Sequence, residues 1–278
     1  KNIIILEQNS QLNLIQIKTS NNFDETQNQK NVISLSEEII LEENSSLTLS
    51  SVSNLSSNTV NFSYRRSFLK ENSKVNFLDG SFGASMNKIK VENFLNGEGA
   101  SSEDFKISGC KENEKFDLET NSYHLSKNTR SLTLSRSVLK GNSFALLKGK
   151  IKILKDSKNC EAYLSDHALI IGDAIADVIP SLEIETNNVK ATHSASVSHL
   201  DQEQMFYLQS KGLQKEDAEG LLIFAFFEPL IKRINDEVFS EKLLNQIENN
   251  FFDKESSIIR DIKKKIVEDT FESHYKYR

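Results

Sequence analysis

Apolar and polar residues alternate at period two through most of the first 184 residues of the chain. The alternation is clearest at Val60-Phe62-Tyr64, at Leu132-Leu134 and at Ile151-Ile153. Period two is the spacing of a β-strand with one buried face, and this region shows no long segment with the 3.6-residue period of a helix. The pattern therefore predicts many short strands and an all-β body.

A short motif recurs within this region. It consists of a leucine, a polar turn of the Glu-Asn-Ser type and then apolar residues at period two, with clear copies at 6–14, 41–49 and 69–77. Looser copies lie at 110–118 and 139–147, so successive copies start roughly 28 to 41 residues apart. Each copy is typical of strand, turn, strand, because asparagine tolerates the positive φ of a tight turn. The repeats favour a right-handed parallel β-helix over a β-sandwich, although Asn, Ser, Lys and Glu are common enough here for short matches to arise by chance.

After Leu200 the period becomes helical. Acidic residues at 201–203 favour a helix start, and Pro229 is expected to kink or divide the second helix. The predicted helices cover about 201–211, 215–234, 241–249 and 254–268. The sequence thus predicts an all-β fold with a helical cap, divided into a β-helix core domain over 1–200 and a C-terminal helical domain over 201–278. We expect Phe206, Tyr207 and Leu208 to belong mostly to the core, packed on the open end of the solenoid.

Charge and apolar content exclude two classes of partner. Lys plus Arg number 34 against 40 Asp plus Glu, for a net charge of -6, so no global positive charge favours nucleic acid or an anionic membrane. The longest apolar run, 221–227, is far shorter than the ~20 residues that cross a bilayer. We therefore expect neither a nucleic-acid partner nor a membrane.

The chemistry-bearing residues form no familiar catalytic motif. The chain has no phosphate-binding loop, no dinucleotide fingerprint and no nucleophile elbow, and its five histidines are too scattered for a local metal site. We therefore expect no enzymatic activity and no ATP bound by this chain. Cys110 and Cys160 cannot form a disulfide framework, which favours a reducing compartment. Cys160 could carry sulfur, but a small buried residue is the commoner fate of a free cysteine.

A long motif joins the two predicted domains. Residues 189–213 place a small-residue stretch after His193, followed by Asp201-x-x-x-x-Phe206-Tyr207-Leu208-x-Ser210-Lys211-Gly212, and an acidic helix start follows at 216–218. The motif resembles the signature of the SufB/SufD family, which are scaffold proteins of iron-sulfur cluster assembly. Segments 149–151, 160–163 and 180–184 resemble the end of that family's β-helix, so the resemblance spans about 134–234. It implies a right-handed parallel β-helix followed by a helical domain, in agreement with the repeats.

The resemblance is to the SufD-like branch. SufB-like members have a cysteine a few residues after an Ile-Gly-Asp stretch, whereas Ala174, Ile175 and Ala176 follow that stretch here. Ser194 stands where they tend to have a glutamate. SufD-like members keep a histidine at the position of His193, which is therefore the candidate for cluster assembly or iron ligation. The alternative is a histidine hydrogen-bonded at a strand end, and for His199 we expect solvated surface.

The resemblance also implies partners. It predicts a non-catalytic scaffold subunit that pairs with a SufB-like subunit, or with a second copy of itself, and that binds a SufC-like ABC-type ATPase through its helical domain. A transient iron-sulfur cluster at the subunit interface and a cytoplasmic location, or the plastid stroma in a eukaryote, follow from the same resemblance. The residues expected to be exposed for ATPase binding are Gln204, Ser210, Lys211 and Glu216.

The alternative function is that of an extracellular carbohydrate-binding or carbohydrate-active β-helix. That class calls for clustered acidic residues or a secretion signal, together with an aromatic or basic groove. The chain has no Trp, and no signal-peptide pattern is visible.

Overall fold

The computed structural model describes residues 1–20, 30–234 and 236–252. Fourteen strands of this part of the chain form two seven-stranded sheets, in the order β1-β3-β5-β7-β9-β11-β13 and β2-β4-β6-β8-β10-β12-β14. The strands are β1 (Asn2–Leu6), β2 (Gln11–Thr19), β3 (Asn31–Leu41), β4 (Ser46–Leu55), β5 (Thr59–Leu69), β6 (Lys74–Gly83), β7 (Met86–Leu95), β8 (Ser101–Cys110), β9 (Lys115–His124), β10 (Arg130–Gly141), β11 (Phe144–Ile153), β12 (Cys160–Gly172), β13 (Ile175–Ile184) and β14 (Val189–His199).

Every strand pairing is parallel, and the chain crosses from one sheet to the other after each strand. An odd-numbered strand and the even-numbered strand after it make one rung, and the rungs stack through backbone hydrogen bonds. The predicted parallel β-helix is therefore confirmed. Its right-handed sense stays a prediction.

The asparagine turns explain how the rungs stack. Asn9, Asn44 and Asn72 have φ values of 60°, 57° and 53°, as the repeat predicts. The N–H group of Asn44 donates to the carbonyl of Glu71 and that of Asn72 to the carbonyl of Glu98, both at 2.9 Å, so each turn bonds to the next. These turns make a first corner of the solenoid, where odd strands lead into even strands.

The two looser copies of the motif do not continue this corner. Segments 110–118 and 139–147 lie at the second corner, where even strands lead into odd strands, and their positive-φ residues are Glu112 and Gly141. A strand-turn-strand motif looks the same at either corner because it records only local geometry. Gly99, Asn128 and Asn159 are the later positive-φ residues of the first corner.

Three helices follow the solenoid in the described residues: α1 (Gln202–Ser210), α2 (Lys215–Ile231) and α3 (Glu237–Phe251). They begin and end close to the first three predicted helices. The fourth predicted helix, 254–268, lies outside the described residues. Pro229 lies within α2 and does not divide it. Near this proline, Arg136 of β10 donates a hydrogen bond to the backbone carbonyl of Phe226.

Helices α2 and α3 cover the outer face of the even-numbered sheet. Phe224, Phe227 and Leu243 of the helices share one buried cluster with Phe82 and Ile107 of the sheet. Gly80 permits this approach, because a Cβ atom there would lie 2.6 Å from Cδ1 of Leu243. We expected residues 206–208 to pack on the open end of the solenoid. In the described residues, the helices that pack on the solenoid are α2 and α3, and they cover the apolar outer face of this sheet instead.

Candidate functional site

The last rung, formed by β13 and β14, leaves one edge of each sheet open in the described residues. His193 lies in β14 and pairs with Leu164 of β12. Paired residues in parallel strands point to the same face, and Leu164 belongs to a buried cluster inside the solenoid. His193 therefore lies on the inner face of the last rung, where it is exposed because no described strand stacks over it.

The inner face of the last rung is otherwise formed mostly of small or apolar residues. Val178, Pro180 and Leu182 are inner-face residues of β13, and Ala191 and Ala195 flank His193 on β14. Within residues 1–20, 30–234 and 236–252, no group of three His, Cys, Asp or Glu side chains could hold a metal ion. An iron ion bound by His193 would therefore need further ligands from outside these residues.

Ser194 points away from His193, to the outer face of the sheet. Its Oγ atom is 2.9 Å from Oγ of Ser165 and 3.2 Å from Oη of Tyr163. Nearby, the two ring nitrogens of His167 lie 2.8 Å from Oγ of Ser165 and 2.5 Å from Oγ of Ser196. These side chains tie β14 to β12 on the face opposite His193. His199, at the end of β14, is exposed.

The structure places the four predicted ATPase-binding residues on the surface. Gln204, Ser210 and Lys211 lie on or directly after α1, Glu216 lies in the first turn of α2, and all four are exposed. In the described part of the chain, no hydrogen bond or ion pair joins them to His193. Exposure fits the predicted role, and the role itself stays a prediction.

Two aromatic residues of α1 are exposed, contrary to the prediction. Phe206 is 74% exposed and Tyr207 is 59% exposed, although we expected both in the core. Successive residues of a helix are about 100° apart, so Met205, Phe206 and Tyr207 cannot all face one side. Met205 is the buried one. The amine of Lys211 lies 5.3 Å from the centre of the Tyr207 ring, on the same exposed surface.

The two cysteines are buried inside the solenoid. Cys160 is 0% exposed, and its sulfur lies 3.1 Å from Oγ1 of Thr129, the equivalent residue one rung earlier. Cys110 is 1% exposed, and burial raises the pKa of its thiol. This environment fits the small buried residue rather than the sulfur carrier.

The solenoid interior contains a buried ionic cluster that the sequence patterns did not predict. Nε of Arg65 donates to Glu37 at 3.1 Å, and Nη1 donates to Asp79 at 3.0 Å. The guanidinium also stacks 4.6 Å from the ring centre of Phe77. In the sequence, this cluster is marked only by polar residues at the period-two positions that otherwise hold the apolar core.

A second group of buried ionisable residues lies in the same interior, one rung further along the solenoid on β8. Burial raises the pKa of Asp104 to about 6 and lowers the pKa of Lys106, whose amine donates to Oγ1 of Thr120. One oxygen of Asp104 accepts from Asn93 at 2.7 Å, while its other oxygen is buried without a hydrogen bond. Asp166 also has a buried oxygen without a hydrogen bond. The interior of this solenoid is therefore partly ionic.

His124 shows what a structural histidine looks like in this fold. It is fully buried, and its two ring nitrogens lie 2.7 Å from Oγ1 of Thr129 and 2.8 Å from Oγ of Ser131. Burial lowers its pKa to about 4. Its environment contrasts with that of His193, which is exposed at the open end of the solenoid.

Comparison with known proteins covers most of the chain. Residues 1–226 match the model of the family described as SUF system FeS cluster assembly, SufBD core domain. The match therefore includes the early rungs, beyond the 134–234 segment that carried the resemblance. None of the described helices is long and apolar enough to cross a membrane.

Curated relatives carry the same family description. The proteins from Staphylococcus epidermidis and Staphylococcus haemolyticus, each described as an iron-sulfur cluster assembly SufBD family protein, are 27% identical to this chain over 198 residues. A Staphylococcus aureus protein with the same description is 26% identical over 198 residues. The matched segment covers 71% of this chain and 43% of each relative, so the chain spans less than half of their length.

Proposed function

The chain belongs to the SufBD core domain family of the SUF system, and from that membership we propose that it is a non-catalytic scaffold subunit for iron-sulfur cluster assembly. Its partners in this proposal are a SufB-like scaffold subunit at the last rung and a SufC-like ABC-type ATPase at the helices. The iron-sulfur cluster is transient cargo at the subunit interface, and the cytoplasm is the compartment that fits such a complex.

The assignment to the SufD-like branch rests on what the chain has in place of thiolate and carboxylate ligands. Ala174, Ile175 and Ala176 follow Gly172 at the second corner of the solenoid, and Ser194 follows His193. Cys110 and Cys160 are buried within the solenoid. A subunit of this composition contributes an imidazole, while thiolate ligands come from its partner.

The observation that carries the proposal is the position of His193 at the open end of the solenoid. Imidazole nitrogen is a ready ligand for iron. A single imidazole on an otherwise small and apolar surface can complete a mixed-ligand site once another subunit supplies the remaining ligands. Cluster assembly would then depend on the pairing of two subunits at the last rung.

The exposed aromatic pair on α1 supports the ATPase part of the proposal. Aromatic residues are enriched where proteins bind one another, and a few of them usually supply most of the binding energy. Phe206 and Tyr207 lie between the exposed polar residues Gln204 and Ser210. We therefore assign the ATPase contact to the surface of α1 and to the start of α2, and the nucleotide to the ATPase.

Co-expression tests the proposal directly. The chain would be produced with the SufB-like and SufC-like proteins of its own source, purified through a tag on this chain, and weighed by native mass spectrometry. We expect a complex that contains all three subunits. Recovery of this chain without either partner would contradict the scaffold role.

A further inference from the structure

The backbone groups of His193 point away from the rest of the solenoid. In a parallel sheet, alternate residues of a strand direct both N–H and C=O to the same neighbouring strand. The N–H group of Leu200 donates to the carbonyl of Ile170 in β12, so the even-numbered residues of β14 bond to β12. The odd-numbered residues, His193 among them, direct their backbone groups to the open edge. The position of His193 therefore depends on how its neighbours hold β14.

Strand β14 has less support than the strands inside its sheet. In the described residues it pairs with one strand, β12, and helices α2 and α3 pack mainly on β4, β6, β8 and β10. A strand that is paired on one side and lies beyond the helical cover opens more readily than the strands inside the sheet. A further tie between β14 and β12 would therefore matter most at this strand.

Side chains on the outer face supply such a tie. Oγ of Ser194 donates to Oγ of Ser165 at 2.9 Å. Nε2 of His167 lies 2.8 Å from Oγ of Ser165, and Nδ1 of His167 lies 2.5 Å from Oγ of Ser196. These four residues, which we call the outer bridge, form a chain of hydrogen bonds that starts on β14, runs through β12 and returns to β14.

The hydrogen bonds of the outer bridge have a consistent direction. Because Ser194 donates to Ser165, the hydroxyl hydrogen of Ser165 is left for Nε2 of His167. Nδ1 then carries the ring proton and donates to Ser196. Burial and the nearby positive charge of Arg136 both lower the pKa of His167, which favours this neutral form of the ring.

The outer bridge adjoins His193 directly in sequence. Ser194 and Ser196 are the first and third residues after His193, and they lie on the opposite face of β14. On the inner face, Ala191 and Ala195 flank His193 and offer its ring only methyl groups to pack against. The orientation of the imidazole therefore follows the position of the strand, which the outer bridge fixes from behind.

We propose that Ser194, Ser196 and His167 are positioning residues for His193. They hold the edge strand on β12 through its outer face, so that the imidazole is presented at the open end in one orientation. This inference rests on the proposed function and adds the residues that hold its iron ligand in place.

Paired serine substitutions test the inference in the co-expressed complex. Ser194→Ala with Ser196→Ala removes both hydroxyls of β14, whereas Ser194→Thr with Ser196→Thr keeps them on a residue that suits a strand. Ser181→Ala is the control, because Ser181 lies on the outer face of β13 in the same rung and its hydroxyl makes no hydrogen bond within the described ranges. We expect the double alanine variant to lower iron and sulfide per complex by about five-fold, the effect of one lost hydrogen bond of ordinary strength on a population. The double threonine variant and Ser181→Ala should keep wild-type content.

A variant on β12 separates positioning from a direct effect on β14. His167→Ala breaks the outer bridge without changing any residue of β14, and it should lower iron and sulfide to a similar extent while the subunits still purify together. In the isolated chain, His167→Ala and the double alanine variant should both speed amide exchange over 189–199 by about five-fold, and exchange over 59–124 should stay as in wild type.

Several results would overturn the inference. These are wild-type iron and sulfide in the double alanine variant or in His167→Ala, an equal loss in the threonine variant or in Ser181→Ala, and loss of the complex itself. If content depends on His193 but not on the outer bridge, the positioning role fails and the proposed function stands. A wild-type complex without iron and sulfide, or one whose content does not depend on His193, would overturn both.

Discussion

Asp104→Asn is expected to change how the stability of the solenoid depends on pH. Asp104 is 0% exposed on β8, beside Lys106 and facing Asp79 and Arg65, and burial raises its pKa from 3.8 to about 6. The folded chain therefore holds this proton more tightly than the unfolded chain. Its contribution favours folding at low pH, is lost as pH rises from about 4 to about 6, and stays lost above that.

The size of the effect follows from the two pKa values. A tenfold change in proton affinity corresponds to about 1.36 kcal/mol, so the difference between 3.8 and about 6 is worth about 3 kcal/mol at most. Asparagine keeps the shape and still accepts from Asn93, but it does not ionise. Relative to wild type, Asp104→Asn should gain about 2 kcal/mol of unfolding free energy between about pH 4.5 and about pH 7.5, because about 1 kcal/mol of the difference already lies below pH 4.5.

Urea unfolding of both proteins across this pH range measures that difference. Other titrating groups, including His124, are present in both proteins and largely cancel. Asp117→Asn is the control with the opposite sign, because the amines of Lys88 and Lys148, at 2.8 and 2.9 Å, lower the pKa of Asp117 despite its partial burial. A difference between Asp104→Asn and wild type that does not change with pH would refute the reasoning.

Three further predictions concern the helices. Phe206→Ser should weaken ATPase binding by about ten-fold or more in a pull-down titration, whereas Phe62→Ser, which changes another exposed phenylalanine on β5, should have no effect; equal weakening by both would contradict the assignment to α1. Glu216→Lys should weaken the same binding with little change in melting temperature, since charge reversal on a surface affects association more than folding; unchanged binding would place the contact elsewhere. Gly109→Ala should lower stability by about 1–3 kcal/mol in urea, because its Cβ would lie 2.8 Å from the Phe251 ring, and a stability equal to wild type would contradict this packing.

The solenoid could be predicted from the sequence because the patterns that specify it are local. Asn44 and Asn72 take the same turn conformation in successive rungs, and the leucines beside them fill the same interior column. The acidic N-cap Asp201 likewise marks the start of α1, where its carboxylate accepts from the N–H groups of Glu203 and Gln204. Each of these signals lies within a few residues of the structure it specifies.

The features that the sequence did not predict depend on contacts between distant residues. Ser131, Thr133, Ser135 and Ser137 have the alternation of a core-facing strand, but polar side chains at these positions do not reveal that they face inward. The outer face that α2 and α3 cover depends on Gly80 and Phe82 meeting a helix more than 150 positions later. His193 was identified by resemblance, and its exposure at an open edge became evident only when the rungs were stacked.

The iron and sulfide content of the purified complex is the most direct test of the proposed role of the last rung. The chain would be co-expressed anaerobically with its SufB-like and SufC-like subunits, as wild type, as His193→Ala and as His199→Ala, a control on the same strand and the same inner face. We predict that His193→Ala lowers iron and sulfide while the three subunits still purify together, and that His199→Ala retains wild-type content. Wild-type iron and sulfide in His193→Ala, or loss of folding on that substitution, would contradict the assignment of His193 to cluster assembly.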